Sequence, residues 1–211
     1  YQTLKKYVSE GGTLFISIPQ LSTNITRNYA AYTVDELLHG GDFSELCGVK
    51  VIDRGRRIYW AYMKEKYSEE FGIPAIPRRF GILCTSLGNI EITDKSAEVI
   101  MADDETDTPV LLRRKYGKGT VYFLNSWAYP GALDVDDGPG GTVNSPGLVG
   151  MVWKYIASQN RGDVWITDDT KNPGTESESI AFSYFPDAGK ICLYNVDYNN
   201  PHKCYLHQFG I

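Results

Sequence analysis

Tyr1-Gln2-Thr3-Leu4-Lys5-Lys6-Tyr7-Val8-Ser9-Glu10-Gly11-Gly12-Thr13-Leu14-Phe15-Ile16-Ser17-Ile18-Pro19-Gln20-Leu21 is the stretch on which the fold reading turns. Leu4, Tyr7 and Val8 recur at helical spacing, and Gly11-Gly12 is a helix stop. Thr13 to Ile18 follows as a short, continuous apolar run. Such a run fits a strand buried on both faces, as in a parallel sheet. A helix that feeds a parallel strand presupposes an earlier strand in the same βαβ unit. The expectation is therefore a piece of a larger α/β fold, lacking its first strands.

The same stretch carries the functional argument. In open α/β sheets, ligands bind beyond the carboxyl ends of the strands. A nucleophile placed there stands on a sharp turn flanked by small residues, because the backbone is strained and a helix packs close. Here the junction reads Ser17-Ile18-Pro19-Gln20-Leu21, with no cysteine and no glycine. Proline holds φ at about −65°, which is incompatible with the positive φ of such an elbow. Ser17 and Ser22 lack the G-x-S-x-G setting of a serine hydrolase.

Working outward, a polar loop runs from Pro19 to Tyr32, and Thr33 with Glu36 forms a capping box for a short helix. Asp42 to Cys47 reads as a helical turn. Val49–Asp53, Ile58–Met63, Gly81–Thr85, Ile90–Thr93, Ala97–Met101, Pro109–Arg114 and Thr120–Asn125 read as strands, with a tight hairpin at Gly117-Lys118-Gly119. A glycine- and proline-rich loop from Gly138 to Gly147 leads into a helix from Leu148 to Gln159, with Val149, Val152, Trp153 and Ile156 on one stripe. Beyond Asn160 the texture changes. Val164–Thr167, Ser179–Phe185, Lys190–Val196 and Lys203–Phe209 read as antiparallel strands joined by turns at Pro186–Gly189 and Asn199–His202. These are the start of a β-sandwich.

Composition narrows the function. The 211 residues are 42% hydrophobic and 22% charged, with 13% aromatics, which suits an ordered core. A net charge of −5 opposes nucleic-acid binding, which needs clustered Lys and Arg. The short basic runs, Arg54/Arg56/Arg57 among them, read as solvated strand ends. No apolar run is long enough to span a bilayer. The four cysteines, Cys47, Cys84, Cys192 and Cys204, have no C-x-x-C spacing, so neither a metal nor a redox cofactor is expected. Cys192 and Cys204 read as buried thiols, with a disulfide as the alternative.

Three sets of residues are candidates for chemistry. Asp103, Asp104, Glu105 and Asp107 form an acidic cluster that a solvated loop explains. Trp127, Tyr129, Asp134 and Asp136 combine aromatics and acids on a glycine-rich loop, which reads first as a solvated loop and second as a candidate contact for carbohydrate or calcium, although it matches no calcium-binding pattern. Cys84 with His39 is the pair that an atypical hydrolase or amidotransferase would need. His39 also fits a helix end, and His202 and His207 lie in the later region.

The order of motifs resembles a family. Leu4 to Leu14 resembles a stretch of class I glutamine amidotransferase-like domains. Phe43-Ser44-Glu45-Leu46-Cys47-Gly48-Val49-Lys50-Val51 is similar to a segment of the trimerisation domain of bacterial β-galactosidase-type glycoside hydrolases, and Tyr116-Gly117-Lys118-Gly119-Thr120-Val121-Tyr122-Phe123 to that domain's last strand. The resemblance implies a flavodoxin-like, mostly parallel sheet over residues 1–160, with 161–211 opening a β-sandwich. It implies a non-catalytic accessory domain that packs against a catalytic barrel of the same polypeptide and helps to hold subunits together as a trimer. It also implies a soluble bacterial protein, in cytoplasm or periplasm, with no catalytic residue and no cofactor here.

Overall fold

The computed structural model describes residues 1–21, 43–72, 82–127, 147–159, 164–168, 177, 179–197 and 199–208. The expected helix beginning at Thr33 lies outside them. The chain divides into two compact units, Tyr1–Tyr155 and Ile156–Ile211.

In the first unit, α1 (Gln2–Ser9) leads through Gly11-Gly12 into β1 (Thr13–Ser17). Helix α2 (Ser44–Cys47) follows and ends on Gly48, whose φ of 71° is the left-handed conformation of a helix stop. Then come β2 (Val49–Met63), α3 (Glu65–Glu70), β3 (Ile82–Ile92), β4 (Glu98–Asp103), β5 (Pro109–Tyr116) and β6 (Gly119–Leu124). Helix α4 (Gly147–Gln159) carries the chain across the division. It buries Val149, Val152 and Ile156, but Trp153, expected on the same stripe, is half exposed.

The six strands form one sheet in the order β1-β6-β5-β4-β2-β3. Only β1 and β6 are parallel, with Thr13 opposite Thr120 and Ser17 opposite Leu124. The pairs β2–β3, β2–β4, β4–β5 and β5–β6 are all antiparallel. This overturns the flavodoxin-like expectation. A parallel sheet needs a helical crossover of a dozen or more residues between strands. Between β4 and β6 the connections are tight turns instead. The strand-rich middle of the sequence builds a curled mixed sheet, dominated by strands.

The curl has a local cause. The sequence reads as separate strands at Val49–Asp53 and Ile58–Met63, but Arg54-Gly55-Arg56-Arg57 continues between them in one fifteen-residue strand. Likewise, Ser86 to Asn89 joins two expected strands into β3. The β2–β3 register slips between Val51 and Asp53, between Arg54 and Arg57, and between Ile58 and Trp60. Each such bulge bends the ribbon and increases its twist.

Curling brings β3 to the far end of the sheet, onto residues that follow β6. Asn125, fully buried, accepts a hydrogen bond from Gly88 N at 3.0 Å through Oδ1. Its Nδ2 donates to Gly88 O at 3.1 Å and to Pro109 O at 2.8 Å. Two residues on, Trp127 N donates to Ser86 O at 2.9 Å. A side-chain amide thus pairs with the Gly88 backbone as a neighbouring strand would. Gly88 has no room for a side chain: a Cβ would stand 2.7 Å from Ile18 Cδ1 and 2.9 Å from Asn125 Oδ1.

The core beneath this closure contains Ile16, Ile18, Leu21, Phe43, Leu46, Val49, Val51, Leu112, Val121, Phe123 and Trp127. At the opposite end, the β5–β6 hairpin docks on α1. Lys118 N donates to Ser9 O at 3.0 Å, which satisfies a carbonyl that the helix end leaves open, and Thr120 N donates to Gly12 O at 3.1 Å, just before β1. On the flank, Arg113 of β5 bridges Glu98 and Glu70 and lies beside the rings of Tyr67 and Phe71, tying α3 to the sheet.

The second unit contains two separate antiparallel pairs. β7 (Val164–Thr167) is buried throughout and pairs with β10 (Tyr205–Gln208). β8 (Ile180–Phe185) and β9 (Lys190–Asn195) form a hairpin around a 3-10 turn at Pro186–Ala188. Leu193 and Tyr194 are adjacent and both exposed, so this hairpin presents apolar side chains on both faces. No helix among the described residues is long and apolar enough to cross a membrane.

Replacing Asn125 with Ala leaves two carbonyls and one amide of the closure without partners, and should cost about 2–4 kcal/mol by urea unfolding. Gly88→Ala should cost about 1–3 kcal/mol through overpacking. A loss below about 0.5 kcal/mol for both variants would contradict the closure, since that is the range of neutral surface changes.

Candidate functional site

The carboxyl ends of β1 and β6 are where a sheet containing this parallel pair would hold a ligand. After β1, Ile18–Leu21 form a short 3-10 helix. Ser17, Ile18 and Leu21 are buried, and Ile18 and Leu21 belong to the core. Among the described non-glycine residues, only Asp107 has a positive φ, at 55°. The backbone at Ile18-Pro19-Gln20 therefore makes no nucleophile elbow, in keeping with the fixed φ of Pro19. The junction's apolar side chains are used for packing.

After β6, Asn125-Ser126-Trp127 continues the same end. Ser126 is fully buried, and its Oγ lies 2.6 Å from Thr85 Oγ1. This places a second polar link between the end of β6 and β3, beside the Asn125 amide. Buried polar groups need partners, and here each hydroxyl finds one on the facing element. Reading the sequence strand by strand missed Asn125 and Gly88. The available signal is a polar pair, Asn125-Ser126, directly after the mostly apolar run Val121–Leu124, with Gly88 interrupting β3.

Trp127 is placed in the core, at 6% exposure. The Arg54 guanidinium lies over its ring, 4.8 Å from the centroid, a favourable cation–π contact. Its indole Nε1 is buried and has no hydrogen-bond partner among the described residues. Tyr129, Asp134 and Asp136 lie outside the described residues, so Trp127 is the one member of that set with a described position. His39 is also outside them, as is the side chain of Cys84.

The acidic cluster is solvated in part, with Glu105 and Asp107 exposed. It forms the turn between β4 and β5, and Asp103 is 1% exposed, with Asp104 also buried. Asp103 Oδ2 accepts from Thr106 N at 3.0 Å and from Thr106 Oγ1 at 2.5 Å. Arg56 reaches Glu105 at 2.5 Å and Asp103 at 3.6 Å. Tyr62 donates to Asp107 at 2.6 Å. The cluster holds its own turn and pins it to β2. Arg56 thus has ion-pair partners within a long strand and does not sit at a solvated strand end. Among the described residues, no group of three or more His, Cys, Asp or Glu side chains is placed to hold a metal.

The remaining candidates have structural partners. His207 Nε2 lies 2.8 Å from Thr167 Oγ1, and the ring stacks on Trp165. Asp197 accepts from His202 Nε2 at 2.7 Å, Asn199 N at 3.0 Å and Asn200 Nδ2 at 3.0 Å. These donors, His202 foremost, hold its carboxyl down to about 2. Cys47 is buried in the core, and burial pushes its thiol up to about 12. Cys192 and Cys204 are not bonded. Cys192 is exposed and Cys204 half-buried, in contrast to the buried pair expected.

No family model matches the chain, and neither does any curated protein. Solved structures match part of its backbone fold. A catalytic mutant of a GH42 β-galactosidase from G. stearothermophilus superposes with a TM-score of 0.50 at 14% identity, over 86% of this chain and 21% of that one. The likeness is one of fold. The β-galactosidase from Rahnella sp. R3 gives a TM-score of 0.47 at 14% identity, covering 75% of this chain and 20% of its own. A cytoplasmic protein from Salmonella typhimurium gives 0.48 at 13% identity, covering 74% and 57%. The chain spans about a fifth of the length of these galactosidases.

Thiol labelling of the native chain near pH 8, read by peptide mapping, should modify Cys192 readily and leave Cys47 unmodified until denaturant is added. Rapid labelling of Cys47 would contradict its burial. The low carboxyl of Asp197 stabilises the fold above the ordinary carboxylate range, and this contribution is lost as pH falls toward about 2. NMR titration should find that value, and His202→Ala should return Asp197 toward about 4.

Proposed function

We propose that this chain is a non-catalytic accessory module of a larger carbohydrate-active enzyme of the β-galactosidase-like glycoside hydrolase kind. The observation that carries the reading is the occupied carboxyl end of the β1–β6 pair. The 3-10 turn at Ile18–Leu21 is sunk into the core there, and the Asn125 amide is committed to Gly88 and Pro109. An active centre at that end needs a groove and a free reacting group. Here the same positions bind one part of the sheet to another.

The fold likeness to a segment of a GH42 β-galactosidase supports the choice of parent enzyme. The hydrolytic carboxylates, which must face each other across a sugar, would then stand in another part of the polypeptide, a barrel domain against which this module packs. Trimeric association of subunits is the second role we assign to it. A carbohydrate-binding module is the competing reading. It needs an exposed aromatic platform, and the Trp127 ring is buried beneath Arg54.

The purified chain should release no nitrophenol from a nitrophenyl β-galactoside above the buffer blank. Turnover that survives purification and is abolished by substituting a residue of this chain would overturn the proposal.

A further inference from the structure

We draw no further inference here: the strongest candidate, the β8–β9 hairpin on which Phe185, Leu193 and Tyr194 stand exposed, is an unpartnered apolar surface, and nothing in the structure shows what covers it.

Discussion

One side-chain amide stands where a strand would otherwise be. A sheet that curls runs out of backbone partners at the place where its distant parts meet, and an unpaired buried peptide group costs about 1–3 kcal/mol. Asn125 solves this by presenting an acceptor and a donor to the N–H and C=O of the same residue, Gly88, and a second donor to Pro109. The solution demands two further things of the sequence. Gly88 must lack a Cβ, because Ile18 and Asn125 already occupy that space. The chain after β1 must turn inward, so that Ile18 and Leu21 fill the core beneath.

Much of this was legible in the sequence, element by element. The helix at Leu4–Val8, the strand from Thr13, the Gly117 hairpin and the strands at Val164 and Lys190 follow from local pattern, and the structure places elements there. What local pattern could not give was pairing. Arg54-Gly55-Arg56-Arg57 reads as a break because it is polar and contains glycine, yet it continues β2 through a bulged ribbon. The continuous apolar run at β1 fits a parallel strand, and β1 is parallel to β6. That one pair does not extend to a whole parallel sheet, since β4, β5 and β6 connect by tight turns and pair antiparallel.

The candidate site shows the same division. Pro19 excluded an elbow from backbone geometry alone, a local property that sequence states directly, and the backbone there has no positive φ. Charge suggests solvent, which holds for Glu105 and Asp107 and fails for Asp103 and Asp104. Burial of Asp103 depends on Thr106 and Arg56, and Arg56 lies 47 positions before it in the chain, on β2. By sequence Trp127 belongs with the aromatics and acids of a glycine-rich loop. Its burial follows from the curl that lays Arg54 across its ring, which no window of sequence contains.

The claim that this end of the sheet is a structural closure is tested most directly at one backbone amide. Hydrogen exchange at Gly88 reports whether its N–H is held by Asn125 in solution. The account predicts that Gly88 exchanges among the slowest amides of the first unit, and that Asn125→Ala accelerates it while leaving the β1–β6 amides protected. A Gly88 amide that exchanges at the rate of an open loop in the unaltered chain would contradict it.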